Sequence, residues 1–255
     1  MKLEKRGMNI TGQNDTYVLI TLDKLAPGID HRQAILYALD CRRAALDSAL
    51  AQFMTRTDAL NEASERLVET LRTGHKVLVA GNGGSAAEAQ HFAAELVGRF
   101  KRERAPYAVL SLTTDTSILT AVANDYGYQD VFARQVHALG QPGDLFIAFS
   151  TSGESENLLQ AAMVGRQLQV TIVAITGDHP SRLQALADLT IRVPIVDTAI
   201  VQEMHMIVTH ILCDIVESEL SASQGCGNDP SVSQTASTVN RVPRENIVAA
   251  RSWKE

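Results

Sequence analysis

Cysteine is scarce in this chain. Cys41, Cys213 and Cys226 are odd in number, far apart, and form no CxxC, so no disulfide framework is expected. Cys41 and Cys213 fall in apolar helical patterns and read as buried free thiols of a reducing, cytosolic protein. Basic stripes are absent too. The formal net charge is −6, and the nearest thing to a cluster, RFKRER at 99–104, reads as a solvated loop, so nucleic acid is not an expected ligand. The opening MKLEKRGMNITGQND has no apolar h-region, so no secretory signal is expected. No run of about 18 apolar residues stands out, so no membrane span is expected either. Two catalytic signatures are also missing. No GK[ST] follows the glycine turn, and no GxSxG appears, which removes a Walker loop and a nucleophile elbow.

What is present is an ordinary globular composition, 45% hydrophobic and 20% charged over 255 residues, enough for one sizeable core. From Asp30, residues Ala34, Leu36, Ala38, Leu39, Ala45, Leu46, Ala49 and Leu50 make a broad helical stripe. A second helix over 57–73 stops at Gly74. These two helices either pack on a partner subunit or cap one face of the domain. From Lys76 the chain alternates. Strands are expected at 76–80, 107–112, 144–149, 170–176 and 189–193. Helices are expected at 85–98, 115–124, 155–168, from Pro180, and at 199–220 as a long closing element. The strands are unbroken apolar runs, as in a parallel sheet covered on both faces. The expected fold is therefore α/β: a doubly wound, five-stranded parallel sheet with extra N-terminal helices. Residues 1–28 read as an N-terminal extension, 29–221 as the domain, and the Ser/Asn/Gly-rich 222–255 as a flexible tail.

In such a sheet ligands sit beyond the C-terminal strand ends. The first strand leads into Gly81-Asn82-Gly83-Gly84-Ser85 and a helix, a layout suited to an anion. It fits a loose GxGxxA, but a dinucleotide site wants an acid closing the second strand, and Asp115 arrives late. The third strand leads into Ser150-Thr151-Ser152-Gly153-Glu154-Ser155. One hydroxyl would cap a helix; four in six residues suit a phosphate cage. Asn124 and Asp125 read either as a helix stop or as sugar contacts. His91 and Glu95 are i,i+4 on one helix, able to hold a divalent metal, to pair a base with its orienter, or simply to form a surface pair. On the closing helix, spacing alone sets Glu203 with His210 and does not single out Gln202.

Taken together, AGNGGSAAEAQHFAAELVGRF (80–100), LTTDTSILTAVANDYGY (112–128), STSGES (150–155) and VQEMHMIVTHIL (201–212) resemble the phosphoheptose isomerases, SIS-domain phosphosugar isomerases of flavodoxin-like architecture. The resemblance spans about residues 30–221. It implies interconversion of sedoheptulose 7-phosphate and D-glycero-D-manno-heptose 7-phosphate through a cis-enediol, for lipopolysaccharide or another heptose glycan. It implies a cytoplasmic homotetramer with N-terminal helices at the interface. It implies a phosphate held by Ser150, Thr151, Ser152 and Ser155, and sugar contacts from Asn82, Gly83, Gly84, Asn124, Asp125 and Gln202. It also implies zinc on His91, Glu95, Gln202 and His210, with Glu95 as general base and His210 as general acid. Ile200 departs from the basic residue common two positions before the Gln. The competing class is a non-catalytic SIS sugar-phosphate adaptor. Such relatives lose the acid–base residues, whereas Glu95 and His210 are both present.

Overall fold

The computed structural model describes residues 30–225, with side chains through 221; the expectations for 1–28 and for the tail beyond 225 lie outside these residues. The order of elements is α1 (His31–Phe53), α2 (Asp58–Arg72), β1 (Val77–Gly81), α3 (Gly84–Val97), β2 (Val109–Ser111), α4 (Thr116–Asp125), a 3-10 turn (Tyr128–Asp130), α5 (Ala133–Leu139), β3 (Leu145–Ser150), α6 (Glu156–Gln167), β4 (Thr171–Thr176), α7 (Arg182–Leu186), β5 (Leu189–Arg192) and α8 (Thr198–Gly225). A compact unit ends at Ser221. Every expected strand forms; the first four start one or two residues later than expected, and the fifth starts at Leu189 as expected and ends one residue early. The 3-10 turn and α5 were not anticipated, because QVHALG is too short to show a helical period.

The five strands pair in the order β2-β1-β3-β4-β5, all parallel. Successive side chains of a strand point to opposite faces, and the core divides accordingly. Val77, Val79, Ile147, Phe149 and Ile175 join α1, α2, α3 and α8 on one face. Leu78, Ala80, Phe146, Ala148 and Ala174 join α5, α6 and α7 on the other. All of β1 and β3 is buried, which is why these strands read as apolar runs without alternation.

The order in which strands are added to the sheet reverses between β1 and β3, so the crevice beyond their C-terminal ends is the switch point at which such sheets bind ligands. The loops that meet there are 81–85 and 150–155.

Three details depart from the sequence reading. Cys213 is buried but Cys41 is only half-buried. The first half of α1 is not covered: Ile35, Leu36 and Leu39 are each close to 60% exposed, while Ala49 and Phe53 are buried at its far end. And α8 is long and apolar enough over Thr198–Ser221 to cross a bilayer by composition, contrary to the expectation of no such stretch. Half of that span is buried, with Val201, Met204, Val208, Leu212 and Val216 filling the core of this domain.

Candidate active site

The glycine turn and the hydroxyl turn flank one open cavity of about 570 Å³ lined by Asn82, Tyr128, Gln129, Ser155, Glu156 and Asn157. Asn82 stands at its centre. Its amide exchanges two hydrogen bonds with buried Asn157 (2.9 and 2.8 Å), and its Oδ1 also accepts from the Tyr128 hydroxyl at 2.9 Å. The sequence reading missed Tyr128 and Asn157. Tyr128 closes the 112–128 motif with no role expected of it there, Asn157 lies outside the motifs, and only the fold brings both beside Asn82.

At the hydroxyl turn, Gly153 adopts φ +64°, a left-handed conformation that favours glycine, and a Cβ there would run into Ser181. Buried Ser150 accepts the Gly153 N–H through Oγ at 3.0 Å, and Ser152 Oγ accepts the Glu154 N–H at 3.2 Å. Ser155 occupies the N-cap position of α6 but makes no side-chain cap bond. The first-turn N–H groups of α6 and its positive dipole end are thus not spent on a serine cap, which leaves them suited to an anion. Two carboxylates at the rim, Glu154 and Glu156, would oppose an anion. Arg182 pairs with both, at 2.7 and 3.0 Å. Hydrogen bonding to Arg182 holds the Glu154 carboxyl below its ordinary range.

α3 and α8 lie side by side and in parallel, and their side chains meet at successive levels. At the first level Gln202 rests on Gly84, so closely that a Cβ at Gly84 would overlap its amide. One turn on, buried His205 faces buried Glu88, Nδ1 to Oε2 at 3.3 Å. Next, His91 Nε2 lies 3.1 Å from Glu95 Oε1 and 3.1 Å from His210 Nε2. Donor atoms of His91, Glu95 and His210 all fall within 4.8 Å of one another. Two imidazoles and a carboxylate at that spacing fit the donor set of a tetrahedral zinc site with one position left over. The ring of His210 stacks on Phe100, centroids 5.5 Å apart.

Of the residues expected to share a metal, then, His91, Glu95 and His210 converge. Gln202 stands about two turns before His210 on α8, with its amide against Gly84. Glu203, which spacing alone would set with His210, instead pairs with Arg42 of α1. Asn124 and Asp125 are exposed at the end of α4 and bond to each other at 2.8 Å. Asp115 accepts the Ile118 N–H at 2.9 Å and caps α4, so its carboxylate serves the helix and not a ribose. Asp197 likewise caps α8, accepting from the N–H groups of Ala199 and Ile200, and Ile200 is buried in the core.

With this geometry in view, the comparisons with known proteins agree. The SIS-domain family model matches residues 43–177. A phosphoheptose isomerase from Helicobacter hepaticus is 49% identical over 168 residues, 66% of this chain and 86% of the relative. One from Roseiflexus sp. is 47% identical over 184 residues, 72% of this chain and 93% of the relative. The chain belongs to the phosphoheptose isomerase family. Solved members superimpose on it: GmhA from Neisseria gonorrhoeae (36% identity, TM-score 0.68, 72% of this chain and 99% of that one) and the enzyme from Francisella tularensis (38%, 0.65, 71% and 98%). The SIS match ends at Gly177, before α8 begins. The cluster of His91, Glu95 and His210 therefore draws its first two members from inside the SIS match and His210 from beyond it.

Proposed function

We propose that this chain is an aldose–ketose isomerase that interconverts sedoheptulose 7-phosphate and D-glycero-D-manno-heptose 7-phosphate, supplying heptose for lipopolysaccharide or another surface glycan from the cytoplasm. The observation that carries it is the meeting of His91, Glu95 and His210 from two helices, set well along α3 from the glycine turn. His91 is seven residues past Gly84, about 10 Å along the helix. A heptose 7-phosphate has its phosphate at one end and its reacting carbons, C1 and C2, at the other. A phosphate anchor and an acid–base pair held apart suit such a substrate.

In this reading the α6 N-terminus with Thr151, Ser152 and Ser155 binds the phosphate, and Ser150 shapes the turn that presents them. Asn82, Gly83, Gly84 and Gln202 line the sugar, and Asn124 and Asp125 contact it from α4. The Glu95 carboxylate takes the proton from one of C1 and C2 and returns it to the other through the cis-enediol. The His210 imidazole moves protons at the two oxygens. His91, Glu95 and His210, together with Gln202, are the residues that would hold a zinc ion, which when bound would polarise the carbonyl. The uncovered Ile35, Leu36 and Leu39 of α1 support assembly as a homotetramer through the N-terminal helices.

The test is isomerisation of sedoheptulose 7-phosphate by wild type, Glu95→Gln and His210→Ala, with zinc measured per subunit. Wild type turns over. Both variants lose on the order of 10²–10⁴ in kcat with unchanged assembly, and His91→Ala loses the metal. A wild type that binds the sugar phosphate without turnover would establish the adaptor class instead. Near-normal kcat in either variant would overturn the roles given to Glu95 and His210.

A further inference from the structure

Phe100 lies in the segment that joins α3 to β2, outside any helix or strand. Its ring is nonetheless stacked on the His210 imidazole, with the planes 16° from parallel. The His210 ring in turn meets the His91 ring edge-on, at 64° and 5.2 Å between centroids.

What fixes Phe100 is α8. Glu217 stands two turns beyond His210, with no exposed side-chain surface, and accepts the backbone N–H groups of Phe100, Lys101 and Arg102 at 2.7, 2.8 and 3.0 Å. A buried carboxylate is costly unless donors surround it. Here three amides do so, together with the Arg104 guanidinium at 3.1 Å, itself 1% exposed. Arg104 also donates to the carbonyls of Glu95 and Leu96, closing the C-terminal turn of α3 on which Glu95 sits. Asp214, one turn beyond His210, takes Lys101 and Arg102 at 2.7 and 3.1 Å. Positions 210, 214 and 217 form one stripe of α8, and all three hold the same short segment. RFKRER, expected as a solvated loop, is therefore tied down at residues 100, 101, 102 and 104.

We propose that Phe100, held by the Glu217 clasp, is a positioning residue for His210. Its ring closes one face of the imidazole and keeps the ring edge directed at His91 and Glu95. This rests on the proton-transfer role given to His210 above. A histidine on an otherwise open helix face turns about two side-chain bonds; a fixed aromatic plane removes most of those orientations before substrate arrives. Misplacing a catalytic group by about 1 Å can cost on the order of 100-fold in rate.

The experiment compares purified wild type, Phe100→Leu, Phe100→Tyr and His210→Ala as whole chains. Steady-state kinetics are read alongside NMR of ¹³Cε1-labelled histidine. Phe100→Leu is expected to lower kcat by about tenfold or more with KM within about twofold. Phe100→Tyr, which keeps the flat ring, stays close to wild type. The His210 Hε1 resonance, shielded by the stacked ring, moves downfield in Phe100→Leu and stays in place in Phe100→Tyr. Glu217→Gln gives the same kcat loss, and adds none on the Phe100→Leu background; if it does not fold, the Phe100 pair decides. Wild-type kcat in Phe100→Leu, equal losses in the Leu and Tyr variants, or an unmoved resonance would overturn the proposal. Should His210→Ala keep its turnover while the resonance still moves, the stacking stands and the role given to His210 is what fails.

Discussion

At the residue scale, chemistry is divided between side chains that touch the ligand and side chains that hold those in place. On the proposed phosphate site, Ser152 and Ser155 belong to the first group. Replacing them together with alanine is expected to raise KM for the sugar phosphate by about tenfold, with kcat little changed, because phosphate contacts serve ground state and transition state alike. A large kcat loss at unchanged KM would count against phosphate anchoring. Glu88 and His205 meet at 3.3 Å, buried where α3 faces α8, on the glycine-turn side of His91, Glu95 and His210. Cys213 shows how thoroughly this region is closed. Burial, with the Glu95 and Glu217 carboxylates near it, pushes its thiol up to about 12. Since the thiolate is the reactive form, iodoacetamide at pH 8 should leave Cys213 unlabelled in the native protein and label it after denaturation. Native-state labelling of Cys213, read by peptide mapping, would contradict this.

At the scale of elements, the sheet positions the site and a few anchors position the sheet. Asp144, 1% exposed, precedes β3 and accepts from the backbone N–H and the ammonium of Lys76, which precedes β1. It also accepts the Gln141 N–H at 2.8 Å. This clamp sets the register of the two central strands, so that Gly81 and Phe149 end side by side and their loops share one crevice. Asp144→Ala would strand a half-buried ammonium and two amide donors. It should cost about 3–5 kcal/mol, measured as a shift in the urea midpoint; a variant as stable as wild type would show that the clamp is dispensable. The parallel pairing of α3 with α8 is the other decisive element. It brings 84 beside 202, 88 beside 205, and 91 and 95 beside 210.

At the scale of the whole molecule, the uncovered end of α1 carries the next prediction. On the proposed homotetramer, Leu36→Asp with Leu39→Asp should lower the sedimenting mass toward monomer while the single-chain fold, read by far-UV circular dichroism, is kept. An unchanged mass would place the interface elsewhere. Much of this protein is legible without coordinates. Continuous apolar runs fix five strands because both faces of the sheet are covered, and glycine and hydroxyl clusters mark the turns that follow β1 and β3. The i,i+4 pair His91–Glu95 follows from helical periodicity alone. What sequence could not supply is everything that depends on two elements meeting. Helical spacing set Glu203 with His210; packing pairs Glu203 with Arg42 instead and rests the Gln202 amide against Gly84. Phe100 and Glu217 are 117 positions apart, and no local pattern links them. The sequence determined which residue types could do the chemistry and on which element each would stand. Tertiary structure decided which of them touch, because contact between α3, α8 and the segment joining α3 to β2 is set by how helices pack on a shared sheet.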